Sequence, residues 1–481
     1  MPSIWTKTVS MKSRPKLERD LRTDVAVIGA GMAGVLTAFL LGEQGIDCVV
    51  LEAAKIGGGQ TKGTTAKITS QHGLFYHTLT ERYGRERARQ YADASEEAIR
   101  QYRRIVKERQ IECDFEEQSA YLYDLYDAET LRREASAAEA LGLPASFAET
   151  VELPFPVAGA VRFERQAQFH PLKFLAAVSE GLTIYEHSRV LSADAHMLQV
   201  NGYTVAADRI VFATHFPFVN FPGLYFARMH QSRAYSVALE NAPKLNGMYV
   251  DAVEDGLSLR NYEDLLILCG CDHRTGENTE GGRYGALRGI GRTLFPESRE
   301  TAHWSAQDCM TPDRVPYIGR YGCGKPGWYV AAGFNKWGMT GSMTAAMILS
   351  DLIAGKENPN AAAFRPRRCS AAMAAGVLRA CKQAAKGLGR QNLTMPEAAF
   401  DDLPIGHGGI VRVGDEKVGV YKDRQGKAHL VDPRCPHMGC QLEWNPDEKS
   451  WDCPCHGSRF DCDGRLLDNP AQADLPGDRQ E

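Results

Sequence analysis

Two short stretches near the C-terminal end concentrate the side chains best suited to bind a soft metal. Cys435-Pro-His437-Met-Gly-Cys440 sets two thiols around an imidazole, and Cys453-Pro-Cys455-His456 repeats the set more tightly. The chain has 13 cysteines. Cys48, Cys113, Cys269, Cys271, Cys309, Cys323, Cys369 and Cys381 are scattered, as small buried hydrophobes usually are. The rest crowd into these two stretches, with Cys462 just beyond them as a bystander. Such local density points to a metal site rather than a disulfide framework. Zinc ribbons and fingers pair their ligands as C-x-x-C or H-x-x-x-H, which C-x-H followed by C-x-x-H fits poorly.

A second constellation opens the chain. Asp24 to Ile28 is a short apolar run, and Gly29, Gly31 and Gly34 follow it as GxGxxG. An apolar helix then leads to a second strand ending on Glu52. Gly29 allows the turn, Gly31 lets backbone approach a pyrophosphate at the helix N-terminus, and Gly34 lets helix and strand close together. Glu52 stands near the roughly 20-residue offset at which an acid meets ribose hydroxyls. No second fingerprint follows, since GALRGIG has the wrong spacing. One tightly bound dinucleotide suits a flavin better than a nicotinamide.

These residues need scaffolds. A chain of 481 residues allows about three domains, and 43% hydrophobic with 24% charged residues is ordinary for a globular protein. A net charge of -4 gives no reason to expect nucleic acid as the main partner. The basic N-terminus lacks the apolar run of a secretory signal, and no stretch reaches the ~18 apolar residues of a transmembrane segment, so a cytoplasmic location is expected. ERYGRERARQYADASEEAIRQYRRIVKE reads as a long amphipathic helix, and MLQVNGYTV as a hairpin with an Asn-Gly turn. SRAYSVALE, GMYVDA, GLSLRNY and DLLILC read as an antiparallel meander, after which GWYVAAG and the helix 338–355 restore the parallel pattern. The fold class expected is therefore an α/β Rossmann-like dinucleotide fold with an interleaved antiparallel-sheet substrate domain, plus a C-terminal all-β module. The dinucleotide parts are placed at about 20–95, 160–225 and 305–363, and the substrate sheet at about 110–160 and 228–304. The helical linker is placed at 364–395 and the β module at 396–481, with turns at Gly408-Gly409 and Gly426.

VAVIGAGMAG with Glu52, the Gly-Thr loop after it, TPDRVPYIG and AAGFNKWGMT together resemble the D-amino-acid oxidase and glycine oxidase family of FAD enzymes. The resemblance implies non-covalent FAD lined by Thr64, Thr65, Ala66 and Lys67, with Gly333, Trp337, Gly338, Met339 and Thr340 near the isoalloxazine and ribityl, and Val190 near the adenine. Family amino-acid oxidases often carry Arg-Pro before the TPD segment, where this chain has Asp308-Cys309. An acid there repels a carboxylate and attracts an amine, as in the similar gamma-glutamylputrescine oxidases. Asp308, Lys67 and His273 are the candidate catalytic residues, and His72, His230, Gln231 and Arg233 are candidates to face the substrate.

The closing segment resembles Rieske iron-sulfur domains on Cys435-x-His437 and Cys453-x-x-His456. The resemblance implies a 2Fe-2S cluster with the cysteines on one iron and the histidines on the other. It also implies a Cys440–Cys455 disulfide of the cytochrome bc type and a Ser458 hydroxyl near a bridging sulfide. Phe460 departs from the bc-type tyrosine, whose hydroxyl bonds a cluster cysteine. Joined, the modules imply oxidation of a small amine or amino acid by FAD, then single-electron transfer to the cluster and on to an external acceptor, whether protein, quinone or oxygen. Two rivals are an electron-transfer module without its own organic substrate and a Rieske monooxygenase. No two-histidine, one-carboxylate iron site stands out among the 13 histidines to support the second.

Overall fold

A computed structural model describes residues 2–368 and 370–476, so Cys369 and the last residues of the C-terminal module lie outside the described residues. The first sheet is built on Leu21–Ile28, flanked in parallel by Tyr203–Phe212 and Cys48–Leu51. Trp328–Ala332 and Thr183–Tyr185 extend it on either side, and Tyr317–Arg320 closes one edge antiparallel. Val25, Ala26 and Val27 are fully buried, as a parallel strand covered on both faces must be. The helix Met32–Glu43 is buried along Met32 to Leu41, so it packs on the sheet and on the helix Gly338–Ile353 with no solvent face to spare.

The second sheet has nine strands. Its backbone runs Arg299–Met310, His230–Glu240, Leu265–Arg274, Ser258–Tyr262, Met248–Asp251, Glu116–Asp124, Gly159–Gln168 and Lys67–Ile68. The meander forms as expected except at one joint, where Met248–Asp251 pairs parallel with Glu116–Asp124. Residues 160–168 and 305–310, allotted above to the dinucleotide fold, belong to this sheet instead. Alternation marks a strand but carries no information about a partner more than a hundred residues away.

The C-terminal module has a three-stranded sheet (Gly408–Val413, Glu416–Lys422, Ala428–Val431) and a four-stranded one (Glu443–Asn445, Ser450–Asp452, Arg459–Asp461, Leu466–Asp468). Gly426 turns at φ 82° as expected, but Gly408-Gly409 begins a strand rather than a turn. The reason is steric: a Cβ at Gly408 would stand 2.4 Å from the Trp444 indole, which stacks on Tyr421 at 4.7 Å.

The linker is the helix Ala371–Leu393, capped by the Ser370 hydroxyl accepting from Met373 N–H. It is a splint between modules. A Cβ at Gly376 would meet Pro312 Cγ at 2.3 Å, and one at Gly387 would meet Cys455 Sγ at 2.7 Å.

Candidate functional site

A cavity of about 490 Å³, in the range of small-molecule sites, opens at the C-terminal ends of the parallel strands. Gly29 turns there at φ 104°, and a Cβ on it would stand 2.5 Å from Ala213 O. A Cβ at Gly34 would come within 1.8 Å of Gly29 O, so any side chain would force the helix off the turn. Met32 N–H, at the helix start, donates to Thr61 Oγ1 (3.1 Å). Glu52 faces the cavity and also holds the turn, accepting from Ala30 N–H (2.7 Å) and Ala54 N–H (2.8 Å). Buried His215 Nε2, on the same wall, has no partner among the described residues. A glycine cradle, helix N-terminal amides and an orphaned polar atom fit a dinucleotide.

Thr64, Thr65, Lys67, Val190, Trp337, Gly338 and Met339 line the cavity with Gly29, Gly31 and Glu52. Gly34, Ala66, Gly333 and Thr340 stand behind that lining. Ala66 is fully buried at φ 57°, a Cβ at Gly333 would meet Thr311 Cγ2 at 2.4 Å, and the Thr340 hydroxyl is tied to the backbone of Thr69. They support the wall from behind.

Asp308, Asp272, Lys336, Lys67 and Ser258 also line the cavity. Lys336 pairs with Asp272 Oδ2, which leaves buried Asp272 Oδ1 without a partner. Burial pushes the Asp308 carboxyl up to about 6, against the pull of Lys336. Lys67 Nζ donates to Ser258 Oγ (2.5 Å) and Thr65 Oγ1 (3.2 Å), and burial brings its amine down to about 7.

His273 does not reach this cavity. It lies opposite Arg233 in the strand register, on the other face of the sheet, bonded to Tyr235 OH (3.0 Å) and Arg274 O (2.7 Å). A positive φ at Cys271 shifts the strand just before it and sends Asp272 to one face and His273 to the other. Gln231 and Arg233 likewise point away from the cavity, into the C-terminal module, and His230 is not among the lining residues. His72 is a packing residue: it stacks on Trp337 (centroids 4.9 Å apart) and is held by Tyr91 OH and Thr69 O.

The two Cys/His stretches form facing loops. Cys435 N–H donates to Cys440 O (2.9 Å), and Cys453 N–H donates to Ser458 O (2.8 Å). The free Cys435 and Cys453 thiols lie within hydrogen-bonding reach of each other, and His437 and His456 bring their Nδ1 atoms to 3.2 Å with the rings perpendicular. Both imidazoles are held neutral by burial, His437 at about 4 and His456 at about 3. Two sulfurs and two neutral nitrogens converging in one buried place fit the expected two-iron cluster. Cys440 and Cys455 are joined by a disulfide, Cα to Cα 6.7 Å, tying one loop to the other.

The face of the sheet turned away from the cavity carries this centre. Gln307 Nε2 donates to Gly457 O (2.8 Å) and Gln231 Nε2 to His456 O (2.8 Å), so two adjacent carbonyls of the second Cys/His loop are gripped by this sheet. Arg233 and Arg459 share Glu448 (2.5 and 3.1 Å), and Arg459 also holds Asp452 (2.9 Å) and Asp468 (3.0 Å). The same sheet therefore presents one face to the cavity and the other to the metal centre. Sequence reasoning missed this interface. Its partners lie far apart in the chain, and no local pattern announces them.

Residues 24–352 match the family described as FAD dependent oxidoreductase, and residues 394–477 match the Rieske [2Fe-2S] domain. The chain is 35% identical over 491 residues to a putative Rieske 2Fe-2S iron-sulfur protein, YhfW, of Bacillus subtilis, covering 98% of this chain and 96% of that one. A cytochrome b6-f complex iron-sulfur subunit of Chlorobaculum tepidum matches 14% of the chain and 38% of its own, at 33% identity. Among solved structures, glycine oxidase from Geobacillus kaustophilus superposes with TM-score 0.60 at 19% identity, covering 70% of this chain and 96% of that one. L-proline dehydrogenase from P. horikoshii superposes at 0.61 and 17%, covering 73% and 98%. These structural likenesses show the fold.

Proposed function

The chain belongs to the FAD-dependent oxidoreductase family and carries a Rieske [2Fe-2S] domain, and from that premise we propose that it oxidises a small amine and hands the electrons singly, through the Rieske centre, to an external acceptor. Bound FAD would supply a hydride acceptor for the carbon bearing the nitrogen, the resulting imine being open to hydrolysis by water, and the iron-sulfur centre would supply one-electron transfer. Gly29, Gly31, Glu52 and Thr61 would hold the nucleotide, and Cys435, His437, Cys453 and His456 the cluster.

The observation that carries the substrate reading is the pair of carboxylates, Asp308 and Asp272, at one end of the cavity. Asp308 faces the cavity half-buried, with Lys336 as its nearest cation, and buried Asp272 Oδ1 has no hydrogen-bond partner among the described residues. Glu254 joins them in the lining. Carboxylate oxygens that face a largely enclosed cavity without a full set of donors favour a cationic ligand. Lys67, with its amine brought near neutrality, is the cavity's candidate for moving a proton. His437 Nε2 is met by Asn220 Oδ1 (3.1 Å), so exposed Met438 beside it marks the edge of the centre at which an acceptor would approach. Among the described residues no helix is long and apolar enough to cross a membrane; a cytoplasmic setting is part of the proposal.

The test is anaerobic titration of the oxidised protein with amines, reading flavin bleaching and the electron paramagnetic resonance (EPR) signal of the reduced cluster together. Asp308→Asn is expected to raise KM about 10- to 100-fold, the value of a hydrogen bond to a charged group. In the wild type, KM should fall as pH rises through about 6, where Asp308 becomes anionic. An Asn variant with unchanged KM would end the amine reading. Failure of every amine to bleach the flavin would leave an electron-transfer module.

Phe460 is fully buried on the strand beside Trp451 and brings no hydroxyl to the cluster. Phe460→Tyr adds a donor toward a cluster cysteine, which stabilises the reduced form. A redox titration should show a higher midpoint potential; a lower or unchanged one would refute this role.

A further inference from the structure

The flavin cavity is not walled by the flavin domain alone. Leu466, Leu467, Asp468, Asn469 and Gln472 of the Rieske domain line it beside the glycine fingerprint. Two of them hold the backbone segments that shape the phosphate turn.

On one side, Asn469 Nδ2 donates to Thr214 O (2.7 Å) and Phe216 O (2.8 Å). That segment presses on the turn itself, because a Cβ at Gly29 would stand 2.5 Å from Ala213 O and 3.5 Å from Thr214 Cα. On the other side, Gln60 Nε2 donates to Asp468 Oδ1 (2.7 Å). The next residue, Thr61, accepts from Met32 N–H at the start of the helix that would face the pyrophosphate. The clamp is itself anchored twice. Arg459 Nη1 holds Asp468 Oδ2 (3.0 Å) from within the Rieske domain, and Gln231 Nε2 donates to Asn469 O (2.9 Å) from the substrate sheet.

We propose that the segment 466–472 is a clamp on the FAD site: the dinucleotide is retained because the Rieske domain ties down both backbone segments flanking the phosphate turn. Release of FAD then requires these segments to part, and each hydrogen bond broken on the way slows it. Flavin loading is thereby linked to a folded Rieske domain, so a chain whose cluster domain has not formed does not hold a flavin. The inference rests on FAD binding, given by the family, and not on the substrate reading; a chain that oxidises no amine would still show it.

The experiment uses full-length holoenzyme. After dilution, the rise of flavin fluorescence gives the rate of FAD release, and the EPR signal of the reduced cluster reports that the Rieske domain is folded and loaded. Asn469→Ala is expected to release FAD about 10- to 100-fold faster with the cluster signal intact, and Gln60→Ala to act in the same direction more weakly. Wild-type release from an Asn469→Ala protein with an intact cluster signal would overturn the proposal. Should that variant lose its cluster, Gln60→Ala decides, since Gln60 lies outside the Rieske domain. Wild-type release from it would overturn the proposal equally.

Discussion

Replacing Arg459 with methionine is expected to destabilise the protein by about 3–5 kcal/mol, the range for removing one partner of a buried ion pair. Arg459 is 5% exposed, and its guanidinium serves Glu448, Asp452 and Asp468 together, with Ser450 Oγ as a further acceptor at 2.9 Å. Methionine keeps much of the volume but leaves three carboxylates with Arg233 as the remaining cation of the network, 2.5 Å from Glu448 and 3.9 Å from Asp468. The loss is therefore mainly that of uncompensated charge. Denaturant titration followed by Rieske absorbance and flavin fluorescence measures it, and a loss below about 1 kcal/mol would mean that the network is not held as described.

The same network sets an acid limit. Burial would push the Glu448 carboxyl up, but Arg233 and Arg459 outweigh it and bring it to about 2. A carboxyl depressed in the folded state contributes stability above its unfolded value of about 4.3 and loses it as pH falls toward the folded one. The wild type should lose this contribution between about pH 4 and pH 2, and the Arg459→Met protein should show less of that dependence.

Replacing Cys453 with serine is expected to abolish the iron-sulfur centre. The Cys435 thiol, followed by the backbone N–H groups of His456, Cys455 and Gly457, draws the Cys453 sulfur toward thiolate despite burial, and the thiolate is the form that binds iron. Serine offers a hydroxyl that stays protonated and a hard oxygen in place of a soft sulfur. Iron analysis and EPR of the anaerobically purified variant should show no Rieske cluster. The Cys440–Cys455 disulfide and the Arg459 network remain to hold the loops, so the loss should be of metal before fold. A variant that kept its Rieske spectrum would show that the ligand set is misassigned.

Much of the site was legible from the chain. The glycine fingerprint and the two Cys/His spacings, Cys435-x-His437 and Cys453-x-x-His456, are short-range patterns, and loop geometry at that range is a local property; the Cys440–Cys455 pairing, 15 positions apart, was reached through resemblance. The cavity-lining Thr64, Thr65, Lys67 and Trp337 were reached through resemblance, which brings along a fold already known to close there. His273 was misjudged because it adjoins Asp272: successive strand residues point to opposite faces, and which face meets the cavity is settled by what the sheet packs on. The same held for Gln231 and Arg233, polar residues whose partners, Asn469 and Glu448, lie more than two hundred positions away.

By itself, the sequence determined the two cofactor-binding chemistries, since glycine spacing and Cys/His spacing act through short-range backbone geometry. Only the tertiary structure decided that the two sites share one sheet as a common wall, and that the Rieske tail reaches into the flavin cavity. Docking of that kind depends on surfaces assembled from distant segments, whose hydrogen bonds and ion pairs exist only once both domains are folded.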